Sequence, residues 1–199
     1  VSDESGATGG RGSTDDRRAQ LTAALARLLP ERGWAKTSTA AIAAEAGLTT
    51  GLVHYHFKRK LDILIQLLAD MEQALEERRA RRASAGDPPE VQLRALVDAH
   101  LALGDDATPG FVACWVAVAA EAVHHPEVGP LYRGVLERRT EEIAGFLVQM
   151  GVVEDEARRR AGLATAGIEG AFLVAATAPG VVVAGSAAAG VWGGLVGPS

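Results

Sequence analysis

The 199-residue sequence has a single cysteine, Cys114. No intrachain disulfide can form, and nothing calls for an oxidising compartment. Aromatic residues make up only 5% of the chain, so Leu, Val and Ala must pack a core for which the 48% hydrophobic content is ample. The N-terminus lacks a basic segment followed by an apolar one, and export is not expected. No Ser/His/Asp order, paired-carboxylate motif or phosphate-cradling glycine loop stands out, which argues against an enzyme. His54 and His56 are two apart and diverge on a helix, and His124-His125 has no third ligand at suitable spacing. Neither a metal nor a cofactor is expected. Cys114 lies in an apolar stretch without a thiolate-stabilising neighbour and reads as an inert core thiol.

Basic charge is scarce overall, at a net charge of −5, but it is not evenly spread. Residues 11–60 hold nine Lys/Arg against four Asp/Glu, a balance of +5, whereas residues 61–199 carry −8. A chain that repels phosphate as a whole therefore has one segment able to attract it.

That segment contains Ser38 to Phe57, which reads as two short helices around a glycine turn. Ile42, Ala43 and Ala46 give the first helix a narrow apolar stripe, and Ser38 or Thr39 can cap it. Gly47 stands where a helix end needs a left-handed residue. Leu48 plugs the corner and Thr49 caps the second helix, of about two turns. There Val53 and Phe57 share one face, while Gly51 and Tyr55, with Thr50 and Leu52 alongside, are left to touch something else. A helix-turn-helix that reads a major groove divides its faces in this way.

The run Thr37-Ser38-Thr39, Ile42-Ala43, Ala46-Gly47, Leu48, Thr49, Gly51, Tyr55-His56, Phe57, Lys60 and Leu64 resembles the DNA-binding segment of the TetR family of transcriptional regulators. The resemblance is specific over about Arg17 to Leu68. It implies an all-α fold: a three-helix DNA-binding head joined to a larger helical ligand-binding and dimerisation domain. It implies that Thr50, Gly51 and Leu52 face base edges, while Ser38, Thr39, Thr49, Tyr55, His56 and Lys60 anchor phosphates. Ala40 stands where some relatives carry a base-contacting side chain, and His54 replaces a frequent aromatic. Farther on, a Trp-containing helix, a Glu-Ala pair, Pro126-Glu127 and Leu131-Tyr132 resemble the BetI-like branch.

The rest of the chain supports helices throughout. Residues 1–14 are Gly/Ser/Thr-rich and read as a disordered tail. Asp15 to Arg32 carries Leu21, Leu25, Leu28 and Leu29 at helical spacing, capped by Asp15 or Asp16, ended by Gly33 and bent at Pro30. The head is thus expected over 15–60 and the larger domain over 61–199. Leu61, Leu64, Leu68, Met71 and Leu75 mark a long helix whose tail, Glu76 to Arg82, reads as a solvated charge run. Gly86-Asp87-Pro88-Pro89 starts a new segment, with helices over Glu90 to Leu103, Phe111 to Val123 (apolar nearly all round and expected to be buried), Glu127 to Met150 and from Asp155 onward, where Arg158-Arg159-Arg160 is expected to be wet. Residues 104–110 read as a turn. Phe111, Trp115, Phe146 and Phe172 are candidate walls of a ligand cavity.

Ala171 to Ser199 has no charged residue, a length that permits a membrane span. Pro179-Gly180 interrupts it and no basic cluster flanks it. The favoured expectation is a helix to about Ala178 against a second subunit, then a short terminal segment. The function expected is that of a cytoplasmic homodimeric regulator, a repressor of a near-palindromic operator in double-stranded DNA, released by a small-molecule effector. The alternatives are a membrane-associated regulator and an all-α enzyme or carrier without DNA binding.

Overall fold

The computed structural model describes residues 9–101, 109–183 and 185–197, and these residues form α-helices and connections without a strand. The chain divides into two compact units, Val1–Asp70 and Met71–Ser199. The first holds α1 (Gly9–Lys36), α2 (Thr39–Glu45), α3 (Thr50–His56) and the first half of α4 (Lys60–Ala80). Leu21, Leu25, Leu28 and Leu29 of α1, Ile42 and Ala43 of α2, Val53 and Phe57 around α3, and Ile63, Leu64, Leu67 and Leu68 of α4 are all at most 3% exposed. The start of α4 is thus part of the core of this first unit, which runs to Asp70.

Each short helix is held by local chemistry. Ser38 Oγ accepts from the Ala41 amide at 3.1 Å, and Thr49 Oγ1 from the Leu52 amide at 3.3 Å. Such caps satisfy amides that a helix start leaves unpaired. After α2, Gly47 adopts φ +67° while its amide reaches Ala44 O and the Leu48 amide reaches Ala43 O. This is the Schellman closure, in which a residue with a Cβ would be strained. The kink in α1 falls at Gly33, φ 71°, three residues after Pro30. Thr49→Ala is expected to cost the head about 1 kcal/mol, visible as a lower urea midpoint by circular dichroism.

The second unit continues from α4 through α5 (Pro89–Leu101), α6 (Pro109–His124), α7 (Val128–Gln149), α8 (Glu154–Thr177) and α9 (Ser186–Val196). Here α8 is the centre, with α6, α7 and α9 packed on it and α5 against α7 and α9. Fully buried Trp115, Leu93, Leu96, Ile143, Leu147 and Ile168 form the core.

Five expectations are corrected. The helix begins at Gly9, so residues 9–14 are helical and neither Asp15 nor Asp16 caps it; the tail reading of 1–8, like most of the expected turn at 104–110, lies outside the described residues. α6 is not buried all round: Cys114, Trp115 and Val118 are, whereas Val123 is 80% exposed. Glu121 near its end finds a partner in His125 at 3.3 Å. The charge run at the end of α4 is not merely solvated, because Arg79 pairs with Glu142 at 2.5 Å with its side chain mostly buried. Arg158 and Arg159 are wet, but Arg160 donates to Leu195 O at 2.9 Å and Gly197 O at 3.0 Å. Those bonds explain the fifth difference. The terminal segment is a helix, α9, whose last carbonyls Arg160 satisfies as a basic residue at a helix C-terminus can.

Candidate nucleic-acid interface and effector cavity

In the head, burial separates the two faces of α3. Val53 is 1% and Phe57 3% exposed, while Tyr55 is 78% and Leu52 38% exposed, with Thr50, Gly51 and His54 also open. Ser38, Ala40 and Thr49 are exposed, and Thr39 and His56 half-buried. The capping hydroxyls use lone pairs, so each retains an O–H proton with which to donate to a phosphate. The Tyr55 and His56 rings meet edge to face at 5.0 Å. Lys58 is exposed beside them.

Two basic residues position this face from inside. Arg18 donates to the His56 carbonyl and to Gln66 Oε1, both at 2.9 Å, with its guanidinium 4.2 Å from the Phe57 ring centroid. It thereby fastens the C-terminal end of α3 to α1 and α4. In sequence this role has no mark, because a lone Arg in a basic block looks like every other. Lys60 is the second. Its Nζ donates to Trp34 O at 2.8 Å and Thr37 O at 2.9 Å and sits 3.7 Å from the Trp34 ring centroid. These two bonds tie the end of α1 to the start of α4. Arg59 closes the same corner differently: its amide and side chain bind Asp62, and that side-chain bond holds the Asp62 carboxyl below its usual range.

In the second unit the polar centre is Glu169 of α8, which is half-buried. Trp115 Nε1 donates to its Oε2 at 3.0 Å, Tyr132 Oη to the same oxygen at 2.5 Å, and Arg139 Nη2 to Oε1 at 2.5 Å. One carboxylate thereby ties α6, α7 and α8 together. Burial, and then the Glu169 charge, push the Tyr132 phenol well above its ordinary range. Arg139 is 5% exposed, and its Nε and Nη1 are buried without a hydrogen-bond partner. A single charged residue inside the apolar run Ile168 to Val174 is the signal that could have singled out Glu169.

The predicted aromatic wall is partly assembled. Trp115 lies 5.8 Å from Phe172, 5.8 Å from Tyr132 and 6.3 Å from Phe111. Phe146 is apart from this group, under the Arg79 guanidinium. A cavity of about 370 Å³ opens elsewhere, between α4, α5 and α7. Its charged wall is Glu72, Glu76, Arg79, Arg138, Arg139 and Glu142; Leu75, Leu96, Val135 and His100 complete it. His100 is half-buried with Nδ1 2.9 Å from Leu96 O, and desolvation followed by the Arg139 charge lowers it to about 3. Its ring is neutral. Nδ1–H donates to that carbonyl, which leaves Nε2 an acceptor.

Comparison with known proteins agrees with this division. Residues 21–67 match the family described as bacterial regulatory proteins, tetR family, and residues 89–191 match the family of the BetI-type transcriptional repressor C-terminal domain. The HTH-type transcriptional regulator BetI of Stenotrophomonas maltophilia is 38% identical over 59% of the chain and 60% of its own length. That of Ectopseudomonas mendocina is 31% identical over 79% of the chain and 80% of its own length. The chain thus spans between about three-fifths and four-fifths of these relatives. A transcriptional regulator of Rhodococcus superposes with a TM-score of 0.77 at 25% identity, covering 89% of this chain and 93% of that one. A regulator from Saccharomonospora viridis, solved in complex with choline, shares the fold at TM-score 0.75 and 22% identity, over 89% of this chain and 94% of that one. Among the described residues no helix is long and apolar enough to cross a membrane, so the membrane-anchored alternative is not favoured. With one domain matched at each end and a relative aligned across most of its length, the chain belongs to the TetR family of bacterial transcriptional regulators, with a C-terminal domain of the BetI type.

Proposed function

We propose that the chain is a cytoplasmic, homodimeric repressor that binds a near-palindromic operator in double-stranded DNA and is released by a small-molecule effector. The observation that carries this is the exposure pattern of α3, which buries Val53 and Phe57 and leaves Thr50, Gly51, Leu52 and Tyr55 open within the basic segment 11–60. Thr50 and Leu52 would read base edges, the first by a hydrogen bond and the second against a thymine methyl. Ser38, Thr39, Thr49, Tyr55, His56 and the exposed Lys58 would hold phosphates; Ala40 offers the DNA only a methyl group, and His54 a ring at the edge of the interface. Two such helices would enter successive major grooves about 34 Å apart. Exposed Leu163 and Leu173 on α8 and Val196 on α9 supply apolar surface for a second subunit. Trp115 and Phe172, with Phe111 at the edge and Phe146 farther off, remain the proposed apolar walls of the effector site.

Fluorescence anisotropy of the protein on the DNA upstream of its own gene, beside a scrambled duplex, tests the reading at two salt concentrations. Sequence-dependent binding that weakens with salt is expected. Thr50→Ala or Leu52→Ala should change the preferred base at one step of each half-site, by roughly ten- to a hundredfold in affinity. Equal weak binding to both duplexes, across a genomic DNA selection as well, would remove the repressor from consideration.

A further inference from the structure

The reading helix α3 has seven residues, and isolated helices shorter than about 12 residues are marginal in water. Its start is closed locally by the Thr49 cap, and Val53 and Phe57 hold one face in the core. Its end lacks the left-handed residue that closes α2. Where Gly47 turns at φ +67°, Phe57 leaves α3 extended, at φ −135° and ψ 123°. The Phe57 amide still bonds to Val53 O at 2.8 Å, but the carbonyls of the last turn need partners from outside the helix. One of them, His56 O, is met by Arg18 Nη1 at 2.9 Å, across 38 positions of the chain. The guanidinium is itself fixed for that contact. Nη2 donates to Gln66 Oε1 at 2.9 Å, and the group lies 4.2 Å from the Phe57 ring centroid. Gln66 is oriented in turn, with Nε2 donating to Asp70 Oδ1 at 2.9 Å. A cation in this place also meets the negative end of the helix dipole.

We infer that Arg18 is the C-terminal cap of the reading helix, a positioning residue that governs how tightly DNA is held without touching it. The end it fastens carries Tyr55 and His56, the proposed phosphate contacts, whereas Thr50 and Leu52, the proposed base readers, stand beside Thr49 at the start. Loosening that end removes contacts that hold the duplex and spares contacts that read it. An Arg18 variant should therefore lose affinity and keep its sequence preference, the reverse of a change at Thr50 or Leu52. The effect on DNA rests on the reading of α3 above; the hold on α3 does not, so the two are measured separately.

The test compares the full chain with its Arg18→Met, Arg18→Lys and Gln66→Met variants. Amide hydrogen exchange on the free protein is read beside anisotropy on a duplex that the unchanged protein selects from a random-sequence pool. Arg18→Met keeps an apolar stem over Phe57 and deletes the donors. In it the Tyr55, His56 and Phe57 amides should exchange about tenfold faster, well beyond any change at Leu25 and Leu28 of α1. Affinity should fall about tenfold, with the preferred bases and the slope of log affinity against log salt unchanged. Arg18→Lys should recover part of both losses, because one charged donor still reaches the carbonyl. Gln66→Met, which leaves the His56 bond in place, should lose much less on both counts. Unchanged exchange at the end of α3 with a salt slope reduced by about 1 would make Arg18 a direct phosphate contact. A uniform rise in exchange across α1, α2 and α3 would make it a general stabiliser of the first unit, and an equal loss in Gln66→Met would move the effect to the contact between α1 and α4. Each of these results overturns the inference, as does undiminished affinity in Arg18→Met. If the unchanged protein selects no duplex, the repressor reading fails by itself, and the exchange comparison still decides whether Arg18 caps α3.

Discussion

Glu169→Ala is expected to lower the unfolding free energy by about 3 kcal/mol, measured by urea denaturation with Trp fluorescence as the probe. The Glu169 carboxylate accepts from Trp115, Tyr132 and Arg139 at once. Removing it strands a guanidinium that is 5% exposed and already has two nitrogens without partners. Breaking one side of a buried ion pair typically costs about 3–5 kcal/mol. The lower end applies because the Glu169 side chain is 23% exposed and water can reach part of the site. Glu169→Gln should fall between, since an amide oxygen still accepts from Trp115 or Tyr132 but leaves the positive charge unbalanced. The double change Glu169→Leu with Arg139→Met should recover most of the loss, because apolar replacement of a whole buried pair is often neutral or better. A loss below about 0.5 kcal/mol, the level of an ordinary surface change, would mean that the three donors find water instead.

Lys60→Ala separates two roles that look alike in sequence. The Nζ donates to the Trp34 and Thr37 carbonyls and lies over the Trp34 ring. Charge-assisted hydrogen bonds contribute about 1.5–3 kcal/mol, so a loss of about 2 kcal/mol in stability is expected, with DNA affinity falling only as far as the head loosens. The slope of log affinity against log salt should stay unchanged. A residue that neutralises one phosphate would instead reduce that slope by about 1 and leave stability intact. That outcome would make Lys60 a phosphate contact first and a structural tie second.

Both predictions concern residues whose surroundings are not local. Ser38, Gly47 and Thr49 were legible in the sequence because capping and the left-handed turn act over three or four residues. The split of α3 into a buried and an open face was legible for the same reason, since one helical turn determines it. Arg18 and Arg139 were not, because their meaning lies in partners 38 and 30 positions away. Lys60 was seen as a basic residue beside the reading helix, and a lysine turned inward onto backbone carbonyls has no sequence mark. Arg160 shows the other limit: in Arg158-Arg159-Arg160 two side chains are wet and the third closes α9. The helix itself was missed because Gly, Ala and Val in that stretch carry no periodic charge.

The buried thiol has a practical consequence. Cys114 is the single cysteine of the chain, 2% exposed in α6 next to Trp115, and burial pushes it up to about 12. Thiolate is the reactive form, so at neutral pH a thiol reagent should label this chain only when the second unit opens. The labelling rate is then a clock for that opening, read at one chemical position in the unmodified protein. A small molecule that binds only the closed unit must slow it by the factor with which it disfavours opening. Candidate effectors could be ranked by that delay with no operator in hand.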